Sequence, residues 1–210
     1  MPTVTTRTAH FPPLRSWIIG RVERWARERQ GDDGALTRLR PRRIYILPTP
    51  VGFIFALMSF AILLGSMNYN NNLSFVLTFM LVSVGFVSMH QCQRNLVDLE
   101  VTFAGVDPVF AGQSIEFRIA VTNHAKNRRH ALRLFAGNSR TEIHDLTPGE
   151  SHVFRLTLPT ARRGYVRLER FGIRSVFPFE LFRAWAWLHM DLQGLVYPHP
   201  AADASPPPPT

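Results

Sequence analysis

The feature that most constrains this chain is a long internal run without charged side chains. From residue 44 to residue 89 there is no Asp, Glu, Lys, Arg or His. Two apolar stretches within the run, 50–67 and 73–89, each approach the roughly 20 residues that a helix needs to cross the hydrocarbon core of a bilayer. The run therefore predicts a two-span transmembrane hairpin over 44–91. The alternative is a buried helical hairpin in a soluble protein.

A short polar stretch separates the two spans, so they must lie side by side and run antiparallel. Asparagine suits such a turn because it tolerates left-handed backbone angles and hydrogen-bonds to nearby amides. We expect Asn71 or Asn72 to cap the second helix. The predicted membrane turn, at 68–72, consists of Asn68, Tyr69, Asn70, Asn71 and Asn72.

Small residues lie four positions apart within the spans. Such pairs let two helix backbones approach closely in a membrane. They predict the helix contact of the hairpin, and they are Gly52 with Ala56, Ala61 with Gly65, and Ser74 with Thr78.

The distribution of charge predicts how the hairpin is oriented. The net charge is +9, and residues 1–43 contribute +6 of it through ten Arg and four acidic residues. Basic residues flank both spans while the turn carries no charge, so the positive-inside rule places both termini in the cytoplasm. The topology-determining residues are Arg38, Arg40, Arg42, Arg43 and Arg94. A nucleic-acid partner is not expected, since no motif or aromatic platform accompanies the arginines.

The two ends of the chain differ from the rest in composition. Residues 1–43 form a basic segment predicted to be cytoplasmic. Within it, 15–30 has the pattern of an amphipathic helix on the membrane surface, and a solvated basic helix is the alternative. Residues 201–210, AADASPPPPT, have the composition of a disordered, Pro-rich tail.

After the second span the periodicity changes from helical to alternating. Apolar and polar residues alternate over 99–103, 115–123, 131–135, 153–158 and 165–173, and turn sequences separate these stretches. Strands at such spacing predict an all-β, antiparallel sandwich over 95–200 with an immunoglobulin-like fold. A small barrel would give a similar pattern. The sequence LVYPHP at 195–200 predicts a closing strand.

An aromatic segment at 175–190 and a basic turn are the candidate partner surface. The aromatic residues fit either a core cluster or an exposed patch for a partner or the membrane. The two arginines before Gly164 fit either a binding site for a phosphate or lipid headgroup or a basic turn that faces anionic lipid. The residues are Phe177, Phe179, Phe182, Trp185, Trp187, Arg162 and Arg163.

Catalytic and metal-binding motifs are absent from the sequence. It has no Walker A loop, no G-x-S-x-G elbow, no H-E-x-x-H and only one cysteine, Cys92. We therefore expect no enzymatic activity, no cofactor and no metal. The alternative is a metal-binding or hydrolytic protein that uses the turn with His144, Asp145 and His152. A transporter subunit is a weaker alternative, because the spans carry no charge to form an ion path.

Several stretches together resemble the Domain of Unknown Function 58 family of bacterial membrane proteins. RRIYILPTPVG at 42–52, LLGSMNYNNNLSF at 63–75 and HQCQRNL at 90–96 are similar to the membrane hairpin of that family. ARRGYVRLERFGIRSVFPFELFRAW at 161–185 is similar to its "RRG … PFGLFRAW" segment, and LVYPHP to its closing strand. Glu180 stands where the family commonly has Gly.

The resemblance implies a role in assembly rather than a named reaction. Members of the family are associated with MoxR-type AAA+ ATPases and with transglutaminase-like membrane proteins, which are the partners it implies here besides the lipid bilayer. Members usually continue into a C-terminal von Willebrand A-like region. This chain ends in PPPP before such a block, so we expect a truncated product or a fragment.

Overall fold

The computed structural model of the protein describes residue 34 and residues 36–69 and 71–198. The predicted helix at 15–30 and the Pro-rich tail at 201–210 lie outside the described residues, as does Asn70 of the predicted turn. All the elements below belong to one compact unit, Asp33–Thr210.

The uncharged run folds into two consecutive helices. Helix α1 is Pro50–Tyr69 and helix α2 is Asn72–Arg94, so both extend beyond the predicted spans. Pro50 begins α1, where a missing backbone N–H costs no hydrogen bond. Both helices are long and apolar enough to cross a membrane. Their connection is too short for anything but an antiparallel pair.

Two short strands precede the hairpin, and the predicted domain boundaries are wrong at this point. Strand β1, Leu36–Arg38, pairs antiparallel with β3, Leu99–Val106, and strand β2, Ile44–Pro48, pairs antiparallel with Phe182–Leu188. A 3-10 turn, Pro41–Arg43, connects them. Residues 36–48 therefore belong to the β domain rather than to a separate basic segment or to the hairpin. The hairpin is an insertion between β2 and β3.

The first sheet has the alternating pattern that the sequence predicts. Its strand order is β1-β3-β5-β9, where β5 is Ser114–Asn123 and β9 is Ser151–Pro159. All neighbours are antiparallel. Along β5 every second side chain is fully buried, and these are Ile115, Phe117, Ile119 and Val121.

The second sheet carries the residues that adjoin the hairpin. Besides β2, its strands are β6 Arg129–Ala136, β7 Ser139–Arg140, β8 His144–Leu146, β11 Phe171–Ser175 and β12 Phe182–Leu188. The strand order is β2-β12-β11-β6-β7, and β8 pairs separately with β6.

A small third sheet closes the domain. It consists of β10 Gly164–Leu168, β13 Leu192–Tyr197 and β4 Val109–Phe110, with β13 and β4 parallel. The single strand predicted at 165–173 is therefore wrong, because the chain leaves the third sheet after Leu168 and enters the second at Phe171. The closing strand is present but begins at Leu192.

One hydrophobic core joins the sheets. Phe117 of the first sheet, Phe171 and Leu134 of the second and Val196 of the third belong to the same buried cluster. Each such side chain contributes about 1.5–3 kcal/mol when it is removed from water. The predicted fold class, a helical hairpin with an antiparallel β-sandwich, is confirmed, while the immunoglobulin-like assignment stays a prediction.

Candidate functional site

The outer surface of the hairpin is almost entirely apolar and exposed. Over the most apolar 18 residues of each helix, only 17% of the residues of α1 and 11% of those of α2 are buried. Large side chains such as Phe53, Ile54, Phe79 and Phe86 are more than 60% exposed. Soluble monomers rarely expose a continuous apolar surface of this extent. The hairpin is therefore not buried against the β domain, and its exposed surface is that of two helices long and apolar enough to cross a membrane.

The buried residues of the two helices are small, but they are not all the predicted ones. Gly52, Ser59 and Ser66 are the buried residues of α1, and Thr78 is buried in α2. Ser59 donates to the Phe55 carbonyl at 2.9 Å, so its hydroxyl needs no partner on the other helix.

The predicted contact pair of Ala61 with Gly65 is wrong. Ala61 is exposed, and a methyl group added at Gly65 would meet no atom within 4 Å. The buried residues of α1, Gly52, Ser59 and Ser66, are seven positions apart, which places them on one face of that helix.

The turn of the hairpin is shorter than the predicted 68–72. Asn68 and Tyr69 still belong to α1, and Asn72 is the first residue of α2. Asn71 is the N-cap, and its Oδ1 accepts from the backbone N–H groups of Leu73 at 3.0 Å and Ser74 at 3.4 Å. Because this one side chain satisfies two free backbone N–H groups at the start of α2, the turn needs few residues outside the helices.

The base of α1 is fixed to the β domain by one threonine. The Thr49 N–H donates to the Leu181 carbonyl at 2.9 Å, and its hydroxyl donates to the carbonyls of Glu180 and Leu181. The same Oγ1 accepts from the Gly52 N–H at 3.0 Å and so caps the helix. A Cβ at Gly52 would lie well inside van der Waals contact of the Leu181 carbonyl oxygen.

Helix α2 is fixed to the same loop from the other side. Ser88 Oγ donates to the Pro178 carbonyl at 3.3 Å, and the buried Cys92 Sγ lies 3.5 Å from the Phe182 carbonyl oxygen. Both helices therefore hold the segment between β11 and β12. Within that segment Phe179 is 71% exposed.

A polar network continues from the end of α2 into the second sheet. The Asn95 amide donates to the His130 carbonyl and to Ser175 Oγ, both at 2.7 Å, and its Oδ1 accepts from the His130 N–H at 2.9 Å. Arg129 donates to the carbonyls of Arg94 and Val97. Since Asn95 is 4% exposed, these bonds prevent an unsatisfied buried amide.

Asp145 belongs to this network and not to a histidine cluster. Its carboxylate accepts from the Ala131 N–H at 2.8 Å and lies 3.0 Å from His130 Nδ1. These bonds lower the pKa of Asp145, the Ala131 bond most strongly, against the opposing effect of burial. The three residues of the metal or hydrolytic alternative, His144, Asp145 and His152, therefore do not converge on one point.

The two histidines do approach each other. The rings of His144 and His152 are stacked with centroids 3.6 Å apart. Burial, and then the neighbouring His144, lower the pKa of His152. Two hydrogen bonds from Thr147 lower the pKa of Glu150 to about 2, and Glu150 Oε1 lies 3.5 Å from His144 Nε2. Among the described residues there is no group of three or more His, Cys, Asp or Glu placed to hold a metal ion.

The tryptophans of the aromatic segment lie on the outer face of the second sheet, so the core alternative is wrong for them. Ala184, Ala186 and Leu188 of β12 are fully buried, while Trp185 and Trp187 point the other way. Tyr45 stacks on Trp185, with ring centroids 5.7 Å apart. Trp187 contacts the Phe135 ring, with centroids 4.9 Å apart, and the Arg170 guanidinium, which lies 4.3 Å from the centre of the Trp187 ring. Phe177 stacks on the His130 ring at 4.4 Å, and Phe182 is half-buried against the core.

The predicted basic residues are scattered over separate places. Arg38 forms an exposed ion pair with Asp98 at 3.4 Å. Arg40 is exposed just before the 3-10 turn, and within the turn Arg42 is exposed and Arg43 half-buried. Arg94 is the exposed last residue of α2. Arg162 and Arg163 lie in the exposed connection between β9 and β10.

Sequence reasoning missed a second basic group on the second sheet. Arg133, Arg174 and Arg183 come from three strands, β6, β11 and β12, and all point outward. Each occupies the polar position of an alternating strand, which is the normal place for a solvated arginine. Only the strand register brings them together.

No protein-family model matches the sequence, and no curated protein is similar to it. The resemblance to the Domain of Unknown Function 58 family therefore stays a prediction.

Proposed function

We propose that this protein is a membrane-anchored interaction protein. Its helical hairpin lies in the bacterial cell membrane as two spans, and its β domain presents a rigid surface at the cytoplasmic face. The observation that carries this proposal is the exposed apolar surface of the hairpin beside a well-packed β domain. Transfer of such side chains from water is worth about 25 cal/mol per Å², which favours the bilayer strongly.

The orientation is proposed from the charges at the two ends of the hairpin. Arg42, Arg43 and Arg94 adjoin its base, while the described turn residues carry no charge. Positive charge on the cytoplasmic side is the usual arrangement in the bacterial membrane. Both termini are therefore proposed to be cytoplasmic.

The role of the β domain is proposed from its outer face. Trp185, Trp187 and Tyr45 lie together there, and Phe179 is exposed at the base of the hairpin. Aromatic residues of this kind are enriched where proteins bind one another. Together with the family resemblance, this face supports a partner in a MoxR-type AAA+ ATPase system or a transglutaminase-like membrane protein.

A cysteine-accessibility experiment tests the anchor and its orientation. Cys92 is buried, so the parent chain provides a control without labelling. Tyr69→Cys at the turn and Arg162→Cys in the β domain place single exposed thiols at opposite ends. In spheroplasts, a membrane-impermeant maleimide should label Y69C directly and R162C only after permeabilisation. The reverse result would overturn the orientation, and recovery of both variants in the membrane-free fraction would overturn the anchor.

Co-purification from membranes in mild detergent tests the partner. We expect an N-terminally tagged chain to retain a stoichiometric AAA+ ATPase or transglutaminase-like protein. The double variant Trp185→Ser and Trp187→Ser should lose it, while Tyr165→Ser, an exposed aromatic residue on the third sheet, should not. Recovery of the tagged chain alone in every case contradicts partner binding by these residues.

A further inference from the structure

The second sheet carries a group of arginines at the base of the hairpin. Arg174 lies directly opposite Arg133 in the register of β11 with β6. On its other side Arg174 lies opposite Trp185, and Arg183 is two residues before that tryptophan on the same face of β12. The three guanidinium groups therefore come from three adjacent strands and share one face.

These arginines line a cavity that includes the first turn of α1. The cavity has a volume of about 320 Å³, and its walls include Arg133, Arg174, Arg183 and the segment Thr49, Pro50 and Val51. Val51 is 50% exposed and Phe53, just beyond it, is 68% exposed, so the apolar surface of the hairpin begins at the cavity. The cavity therefore lies at the level where a membrane surface meets the β domain.

Within the described residues, the positive charge of the cavity is only partly offset. None of the ion pairs formed within the described residues involves the three arginines. Among the residues that line the cavity, the three arginines contribute +3 and Glu180 contributes −1, so the lining has a formal charge of +2. Burial, and then the neighbouring Arg140, Arg133 and Arg183, lower the pKa of Arg174. An anion in the cavity would remove this repulsion.

Two of the arginines are positioned rather than free in solvent. The Arg133 Nε is buried and has no hydrogen-bond partner among the described residues. The Arg174 guanidinium lies 5.9 Å from the centre of the Phe135 ring, which supports one of its faces. A buried, unsatisfied donor is unfavourable, so such a group is normally satisfied by a ligand or water.

We propose that this cavity binds the phosphate of an anionic phospholipid headgroup. Guanidinium groups bind phosphate oxygens through paired, charge-assisted hydrogen bonds, and clustered arginines at a membrane surface are suited to anionic lipid. The lipid source, rather than free phosphate, follows from the apolar surface that begins at Val51. The inference rests on the proposed membrane placement of the hairpin.

Native mass spectrometry of the full chain tests the site. The protein is purified in mild detergent, supplied with phosphatidylglycerol or with phosphatidylcholine, and the fraction that retains lipid is measured. We expect the parent chain to retain phosphatidylglycerol preferentially. Arg174→Gln and Arg183→Gln should each lower that retention about tenfold, the effect of losing one charge-assisted interaction. Arg183 is exposed, so its variant should fold even if the other does not.

A matched variant separates the site from general attraction to charge. Arg167→Gln removes one exposed arginine from the third sheet and should leave phosphatidylglycerol retention unchanged. An equal loss in R167Q would overturn the proposal. So would displacement of the lipid by millimolar inorganic phosphate, because the site would then take the free anion.

The membrane placement is measured separately by extraction of membranes with alkaline carbonate. A chain that stays in the membrane but shows no preference for phosphatidylglycerol contradicts the lipid site alone. A chain released by carbonate contradicts the proposed anchor, whatever its lipid content.

Discussion

At the scale of single residues, the loop between β11 and β12 contains the clearest backbone strain. Phe179 and Glu180 have φ angles of 57° and 55°, in the left-handed region that glycine tolerates and other residues enter at a cost of about 1–2 kcal/mol. The hydrogen bonds from Thr49 and Ser88 hold this loop between the two helices. The strain lies at the junction of the hairpin and the β domain, where a fixed backbone is needed.

This strain predicts a stabilising substitution. Glu180→Gly removes the left-handed penalty but adds about 0.4–1 kcal/mol of unfolded-chain entropy, so we expect a net gain of about 0.5–1 kcal/mol. Thermal unfolding in detergent should show a higher midpoint. Glu142→Gly, at an exposed residue outside the left-handed region, should lower it instead. A lower midpoint for E180G would show that the loop does not depend on its backbone angle.

A second prediction at this scale concerns Asp145 and pH. Its pKa is lowered in the folded protein, chiefly by the Ala131 N–H, so its contribution to stability is present above the unfolded pKa and is lost as pH falls through the folded one. The Asp145 side chain is 38% exposed, so solvent screens part of this effect. Asp145→Ala should therefore cost only about 1 kcal/mol at neutral pH, and progressively less as pH falls through the folded pKa. Unfolding midpoints at several pH values measure this difference. A pH-independent cost for D145A would contradict the assignment.

At the scale of elements, the contact between α1 and the β domain predicts that two glycines of the same helix differ. Gly52→Ala forces a Cβ against the Leu181 carbonyl and should destabilise the protein by about 1–3 kcal/mol. Gly65→Ala meets open space and gains up to about 1 kcal/mol of helix propensity. Unfolding of the two variants in detergent compares them directly. Equal effects would mean that α1 is not fixed at its base.

The cap at the start of α2 predicts a smaller effect. Asn71→Ala removes the acceptor of two backbone N–H groups and should cost about 1 kcal/mol. Asn68→Ala changes an exposed residue inside α1 and should cost nothing or be slightly favourable. Hydrogen exchange at Leu73 and Ser74 measures the loss locally. Unchanged protection in N71A would show that another group caps the helix.

Elements with strong periodicity were predictable from the sequence, and those without it were not. The two helices and the strands such as β5 follow from long apolar or alternating stretches. Strand β2 could not be recognised, because Ile44–Pro48 merges without a break into the apolar run of α1. Strand β1 has three residues, too few to show a period.

The candidate site was harder to predict than the fold. Alternation shows that Trp185 and Trp187 share one face of β12, but large side chains on one face and alanines on the other do not reveal which face is inside. Arg133 and Arg174 are far apart in sequence and meet only through the register of β6 with β11. Such a site depends on pairing between distant strands, which no local pattern contains.

At the scale of the whole molecule, the strands that precede the hairpin decide where the β domain begins. β1 belongs to the first sheet and β2 to the second, so the chain that enters the hairpin is fixed to both layers. Leu39 between them is fully buried, and Ile44 is 9% exposed. The hairpin therefore leaves the domain at a position held from two sides, and its orientation relative to the sheets is built into the fold.

This architecture predicts how the chain responds to truncation. A chain that starts at residue 34 keeps all of these elements and should fold. A chain that starts at residue 49 keeps both helices but loses β1, β2 and the burial of two core side chains, each worth about 1.5–3 kcal/mol. The lost stabilisation, together with two newly exposed sheet edges, approaches the usual free energy of unfolding of a domain, about 5–15 kcal/mol. Limited proteolysis in detergent should leave the longer chain intact and degrade the β domain of the shorter one. If both resist equally, residues 36–48 add little to the domain and the hairpin is attached from one side only.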